Sequence, residues 1–223
     1  MITEVAYNDH IKRKINTRLD SKVALINLVI EVSKFMLIKN NMPYCDCGTI
    51  YFESLSRRVF FSEPNPKTGE VRHFSFQFPF RITEEDNQIR LTTYKTDISI
   101  ESTHLQVLQS ILNEGAFTEN SLKYGISLGL AELIEETLRE MNLGTYFIDD
   151  INSLILDLLL FEPSYMRFDE HKSGEKGKIH PLYHFDIFYS QFTTLKIGYN
   201  SRMSYKNFKE LLNREEKECL YLS

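Results

Sequence analysis

The chain has 223 residues, 42% of them hydrophobic and 26% charged, with a formal net charge of −5. That suits a soluble globular protein of one domain, or two of roughly 100 residues each, and it excludes coating of nucleic acid through bulk positive charge while leaving room for a local basic patch. The three cysteines, Cys45, Cys47 and Cys219, with no leader-like N-terminal segment, point to free thiols in a reducing cytosol.

Residues 9–39 read as helix with a bend at Asp20-Ser21, where a cap can start a second segment. In its second half Asn27, Glu31 and Lys34 interrupt an otherwise apolar run and form one narrow stripe, which marks a core helix and no membrane span of about 20 apolar residues. From Tyr44 to Ile100 the period becomes two. Thr49–Glu53 and Arg57–Ser62 read as strands, and Pro64-Asn-Pro-Lys-Thr-Gly69 is a turn. Phe74, Phe76, Phe78 and Phe80 alternate with His73, Ser75 and Gln77, so a single half-buried strand is expected there. The acidic turn Thr83–Asn87 leads to a further strand, Ile89–Ile100, completing a four-stranded antiparallel meander.

Helical spacing then returns. Thr103 with Gln106 fits a capping box, Leu105, Leu108, Ile111 and Leu112 form a stripe, and Gly115 suits the helix end. A second helix, about Thr118 to Asn142, buries Leu130, Leu133, Ile134, Leu138 and Met141. Asn152–Phe161 is apolar, and its period does not distinguish helix from strand. Tyr165–Asp169, Leu182–Ser190 and Thr194–Tyr199 read as strands, and Ser204 caps a last helix with Phe208, Leu211 and Leu212. The expected fold class is α+β, an antiparallel sheet (N-terminal meander plus C-terminal strands) packed with helices. One domain over residues 1–223 is expected, with 1–100 and 101–223 as the natural subdivision.

The C-terminal strands carry the chemistry. Alternate strand residues share a face, so Arg167 and Asp169 point away from Met166 and Phe168, His184 and Asp186 away from Tyr183, Phe185 and Ile187, and Lys196 away from Leu195 and Ile197. If the three strands are neighbours, Arg167, Asp169, His184, Asp186 and Lys196 converge on one surface, with His180 at its edge. A histidine beside an aspartate has its tautomer fixed and serves as general base or metal ligand. His180, His184 and Asp186 make a workable set for a divalent metal. Arg167 and Lys196 suit stabilisation of negative charge on a phosphoryl oxygen, and the loop Lys172-Ser-Gly-Glu-Lys-Gly-Lys178 suits a polyanion. The plainer alternative is the solvated face of a sheet with weak cross-strand ion pairs.

Other features weigh less. Lys12, Arg13, Lys14, Arg18 and Lys22 give the first helix a local basic excess, and Lys14, Arg18 and Lys22 share a face that suits phosphate contact. A solvated helix face is the plainer explanation, since charge runs on helices are usually surface decoration. Cys45-Asp-Cys47 is too closely spaced for an ordinary zinc pair. Glu132, Glu136 and Glu140 form a row typical of a solvated helix. Phosphate-binding loops, dinucleotide fingerprints, hydrolase elbows and HExxH are all absent from the sequence.

Arg167-Phe-Asp169, His180-Pro-x-x-His184, the Lys196-Ile-Gly198 strand and a Phe-containing terminal helix together resemble the end of an uncharacterised prokaryotic family, domain of unknown function 2290. The resemblance spans the last quarter of the chain and departs at Lys196-Ile197-Gly198, where an Arg-Ile-Pro-like strand is expected. It implies a bacterial or archaeal source and a mobile-element or defence setting, and transfers no catalytic role.

Two functions are therefore expected. One is a binding or regulatory subunit of a bacterial complex, cytoplasmic, with a protein partner and a nucleic-acid contact through the basic helix. The other is a small metal- or His-dependent hydrolase, nuclease-like. In it His184 is base or ligand, Asp186 orients it, Asp169 and His180 assist, and Arg167 and Lys196 engage phosphate.

Overall fold

The computed structural model describes residues 4–16, 19, 21–38, 48–85, 88–115, 117, 128–190 and 193–212. Among these the strands are β1 (Val5–Ala6), β2 (Thr49–Glu53), β3 (Arg58–Pro64), β4 (Val71–Gln77), β5 (Phe80–Glu85), β6 (Gln88–Thr93), β7 (Ser99–Ile100), β8 (Met166–Glu170), β9 (Tyr183–Ser190) and β10 (Thr193–Tyr199). The helices are α1 (Asp9–Ile15), α2 (Lys22–Ile38), α3 (Ser102–Asn113), α4 (Leu128–Glu140), α5 (Phe147–Leu160) and α6 (Tyr205–Leu211). The class is α+β with antiparallel sheets. Two compact units share the chain: Met1–Arg13, Pro43–Phe78 and Glu162–Ser223 form the first, Lys14–Met42 and Pro79–Phe161 the second.

The first unit is a seven-stranded sheet in the order β1-β2-β3-β4-β8-β9-β10. β4 pairs with β8, more than 90 residues on in the chain, through Arg72 opposite Asp169 and Phe74 opposite Arg167. One sheet face buries Phe60, Phe168 and Phe185 against Met203 and Phe208. The side chain of Ser204 accepts a hydrogen bond from the Asn207 N–H, which starts α6 and delivers Phe208 to that core. On the opposite face Phe61 stacks on Phe74 with ring centroids 4.3 Å apart, and the charged residues of β8, β9 and β10 lie beyond them.

The second unit sets α2 and α3 together, with α2 also against the sheet β5-β6-β7 and α3 against α4 and α5. Buried residues surround α2 on nearly all sides. Its buried Glu31 is met by Lys14 at 3.8 Å and Lys34 at 3.6 Å, as a carboxylate removed from water requires.

Four expectations need correction. The alternating Phe run is not one strand: β4 ends at Gln77, and Phe80 opens β5 of the other sheet. Pro79 has no N–H for the ladder, while the Gln77 and Phe78 N–H groups turn to the carbonyls of Pro163 and Arg57. Ile89–Ile100 is likewise split into β6 and β7, because Asp97 takes a left-handed φ of 51° and the Ile98 N–H folds back to the Thr93 hydroxyl. The cap of α3 is Glu101 with His104, whose Nδ1 accepts from the Glu101 N–H at 3.1 Å, two residues before Thr103 and Gln106. Met141 is exposed rather than buried, following the end of α4. Asn152–Phe161, ambiguous by period, lies almost wholly in α5. The expected bend at Ser21 is a break between helices, where the Ser21 hydroxyl accepts from the Ala24 N–H.

Candidate functional site

Strand register assembles the site. Arg167 faces Asp186 and Asp169 faces His184 across β8 and β9, while Lys196 of β10 faces Asp186. Directly opposed residues share a sheet face. Arg167, Asp169, His184, Asp186 and Lys196 are thus brought together as expected, but not in a flat solvated layer. Asp169 is 7% exposed, His184 1% and Asp186 6%.

The charges alternate in sign across five strands' worth of side chains. Glu63 meets Arg72 at 3.4 Å, and Arg72 Nε meets Asp169 Oδ1 at 3.2 Å. Asp169 Oδ2 meets Arg167 Nε at 2.7 Å, and Arg167 Nη2 meets Asp186 Oδ2 at 2.5 Å. Asp186 Oδ1 closes the row on Lys196 Nζ at 2.7 Å. Burial works against the Arg167 charge, but Tyr165, Asp169 and Asp186 outweigh it and hold the guanidinium above the usual arginine value. Burial also opposes the Asp186 charge, yet Lys196 and Arg167 more than compensate and keep its carboxyl below the usual aspartate value.

His184 occupies a special position in this row. Its Nδ1 lies 2.8 Å from the Pro181 carbonyl oxygen, which only accepts, so Nδ1 carries the proton and donates. Gly198 sits opposite His184, and a Cβ there would come within 3.1 Å of Pro181; its absence lets the loop carbonyl approach the ring. Burial lowers the His184 pKa below the ordinary histidine value, against the pull of Pro181 and the two carboxylates. The ring is therefore neutral near pH 7, with the Nε2 lone pair facing Asp169 Oδ2 at 3.7 Å and Asp186 Oδ2 at 4.0 Å. One ligand atom from each of Asp169, His184 and Asp186 falls within 4.8 Å of the others, a grouping able to hold a metal ion. A histidine whose second nitrogen is fixed on a backbone carbonyl is also how metal-ligating imidazoles are normally oriented.

His180 is not in that group. Its ring packs edge-on to His184 at 4.5 Å and to His171 at 5.3 Å, and Asp169 stands where the set His180, His184 and Asp186 was expected. Sequence reading missed Arg72 and Glu63. Alternation of Arg72 with His73 places Arg72 on the Phe74 face, but only the pairing of β4 with β8 shows that Asp169 lies beside it.

Among the other candidates, Lys14 pairs with Glu31, and Lys22 Nζ donates to the Leu159 carbonyl and lies 5.4 Å from the Phe161 ring centroid. Lys12 is partly buried and Arg13 exposed. Arg18, Cys45, Cys47 and Cys219 lie outside the described residues. Glu132, Glu136 and Glu140 are exposed along α4. Among the described residues, no helix is long and apolar enough to cross a membrane.

Comparison with family models, with curated proteins and with solved structures finds no match to this chain.

Proposed function

We propose that the protein is a hydrolase of phosphate esters, nuclease-like in its substrate, that works with a divalent cation held by Asp169, His184 and Asp186. The observation that carries this is the convergence on one point of a neutral imidazole lone pair and two buried carboxylate oxygens. Arg167 bridges the two Oδ2 atoms here, and a divalent cation on the same oxygens would add the Nε2 lone pair as a third ligand. Held by Asp169, His184 and Asp186, a divalent cation would acidify a bound water and offset charge on the phosphoryl oxygens. The water oxygen bonds to phosphorus, the ester P–O bond breaks, the departing alcohol oxygen takes up a proton and the water releases one to solvent. Arg167 and Lys196, each about one-third exposed and in contact with the Asp186 carboxylate, would receive phosphate, and Lys172, Lys176 and Lys178 are exposed on the loop between β8 and β9.

The test is cleavage of single- and double-stranded DNA and RNA with Mg2+ or Mn2+, comparing wild type with His184→Ala and Asp169→Asn. Metal-dependent cleavage lost in both variants supports the assignment. Equal cleavage by all three proteins, or none by any, removes it.

A second reading is favoured by a different observation. Each carboxylate oxygen of Asp169 and Asp186 already has a cationic partner, as in a purely structural ion network. The protein is then a binding or regulatory subunit of a prokaryotic complex, in the defence or mobile-element setting that its C-terminal motifs suggest. Recovery of a stoichiometric partner from the source cells, unaffected by His184→Ala, supports that reading, and isolation of the lone chain counts against an obligate complex.

A further inference from the structure

The three cations around the carboxylates are not equivalent. Arg72 holds Asp169 by Oδ1 and Lys196 holds Asp186 by Oδ1. Arg167 alone engages the two Oδ2 atoms, through Nε at 2.7 Å and Nη2 at 2.5 Å. Those are the oxygens that face His184 Nε2. Metal bonds of about 2.0–2.2 Å bring ligand atoms within about 3–4 Å of one another; the two spacings to Nε2, 3.7 and 4.0 Å, lie at the wide end of that range, with all three ligand atoms within 4.8 Å of one another.

We infer that Arg167 is a built-in counter-ion that bridges Asp169 and Asp186 when no metal is bound, and that a divalent cation seated on His184 Nε2 and the two Oδ2 atoms displaces it toward solvent, where it takes a phosphate group. This rests on the metal-centre reading above and adds the order of events within it. A carboxylate oxygen has lone pairs for two partners, but a guanidinium and a dication sharing the same two oxygens stand within a few ångströms of each other and repel. Arg72 and Lys196, on the far oxygens, stay in place. Arg167 is the cation whose carboxylate contacts are both to the oxygens the metal would take, and at 29% side-chain exposure it reaches solvent, with Tyr165 as its further contact. Released from its carboxylates, its planar fork matches a phosphate. Metal binding thereby creates the anion site, so a phosphate ester is engaged only at a loaded centre.

The experiment titrates Mn2+ calorimetrically into wild type, Arg167→Met, Arg72→Met and His184→Ala, and then titrates phenyl phosphate with and without Mn2+. Arg167→Met is expected to tighten Mn2+ by about tenfold or more. Arg72→Met, which removes the same charge without freeing an Oδ2 atom, is expected to tighten it distinctly less. Phenyl phosphate is expected to bind wild type at least about fivefold tighter with Mn2+ than without, and by reciprocity to tighten Mn2+ by the same factor. Arg167→Met loses that coupling. Mn2+ binding that needs His184 but tightens no more in Arg167→Met than in Arg72→Met overturns the displacement while leaving the metal centre standing. Absence of Mn2+ binding in all four proteins overturns the metal centre and the displacement together. Should Arg167→Met not fold, Arg167→Lys, which keeps the charge and gives up the bridge, is expected to tighten Mn2+ by a smaller factor, and unchanged affinity there refutes the proposal. The phosphate coupling in wild type needs no variant, and its absence does the same.

Discussion

His73 sits in the core beneath α6, 3% exposed, ringed by Phe168, Tyr205 and Phe208 at centroid distances of 6.2, 5.3 and 5.9 Å. Its Nδ1 is buried with no hydrogen-bond partner, and burial pushes its pKa from 6.5 down to about 4, against weaker support from backbone groups of Met203 and Arg72. The folded protein therefore binds fewer protons at this site than the unfolded chain. Its contribution is full above pH 6.5 and is lost as pH falls toward 4, where the unfolded chain gains a proton that the fold refuses. The displacement from 6.5 to about 4 corresponds to roughly 3 kcal/mol, of which roughly 2.5 kcal/mol is spent by pH 4.5. His73→Leu keeps an apolar side chain between Phe168 and Phe208 and removes the proton. Urea unfolding of both proteins from pH 7.5 to 4.5 isolates the effect, because all other titrations are common to both. The wild type is expected to lose roughly 2.5 kcal/mol relative to His73→Leu over that range. A difference that does not change with pH, or that favours wild type in acid, refutes the reasoning.

Asp186→Asn removes the carboxylate shared by Arg167 and Lys196. Because those partners are about one-third exposed, the loss is expected to be about 2 kcal/mol, below the cost at a fully buried pair, and thermal unfolding checks it. Gly48→Ala should cost more than about 2 kcal/mol, since Gly48 has φ +140° and an added Cβ would meet the Tyr7 hydroxyl at 2.2 Å and the Ser62 carbonyl at 2.3 Å; a chemical denaturation midpoint equal to wild type contradicts this. Ser204→Ala removes the side-chain acceptor at the start of α6 and is expected to lose about 1 kcal/mol, with faster amide exchange at Asn207.

Local pattern carried much of this structure. Period-two alternation set Arg167 with Asp169, His184 with Asp186, and Lys196 each opposite the apolar face of its own strand, because side-chain direction in a strand is fixed by the backbone; that the three strands are neighbours is shown by their pairing. The caps at Ser204 and Ser21 were legible in a similar way: the residues that satisfy the first N–H groups are themselves local in sequence. What stayed hidden depends on pairings distant in the chain. Nothing near Arg72 indicates that Asp169 will be its partner, and burial of the carboxylates follows from the assembled sheet rather than from the composition of any strand. The exchange of Asp169 for His180 in the three-residue group has a similar origin. His180 is closer to His184 in sequence, but cross-strand register delivers Asp169 to the Nε2 side, while the turn at Pro181 sets His180 against the ring. The Phe run misled because its alternation continues through Phe78 and Phe80 although the hydrogen-bond ladder stops at Pro79.

The most direct test of the metal centre is a crystal structure of the protein grown or soaked with Mn2+, measured for anomalous scattering. A peak about 2.0–2.3 Å from His184 Nε2, Asp169 Oδ2 and Asp186 Oδ2, with Arg167 turned away from both carboxylates, is the expected result. No peak at that position under saturating Mn2+, with Arg167 still bridging Asp169 and Asp186, would contradict it.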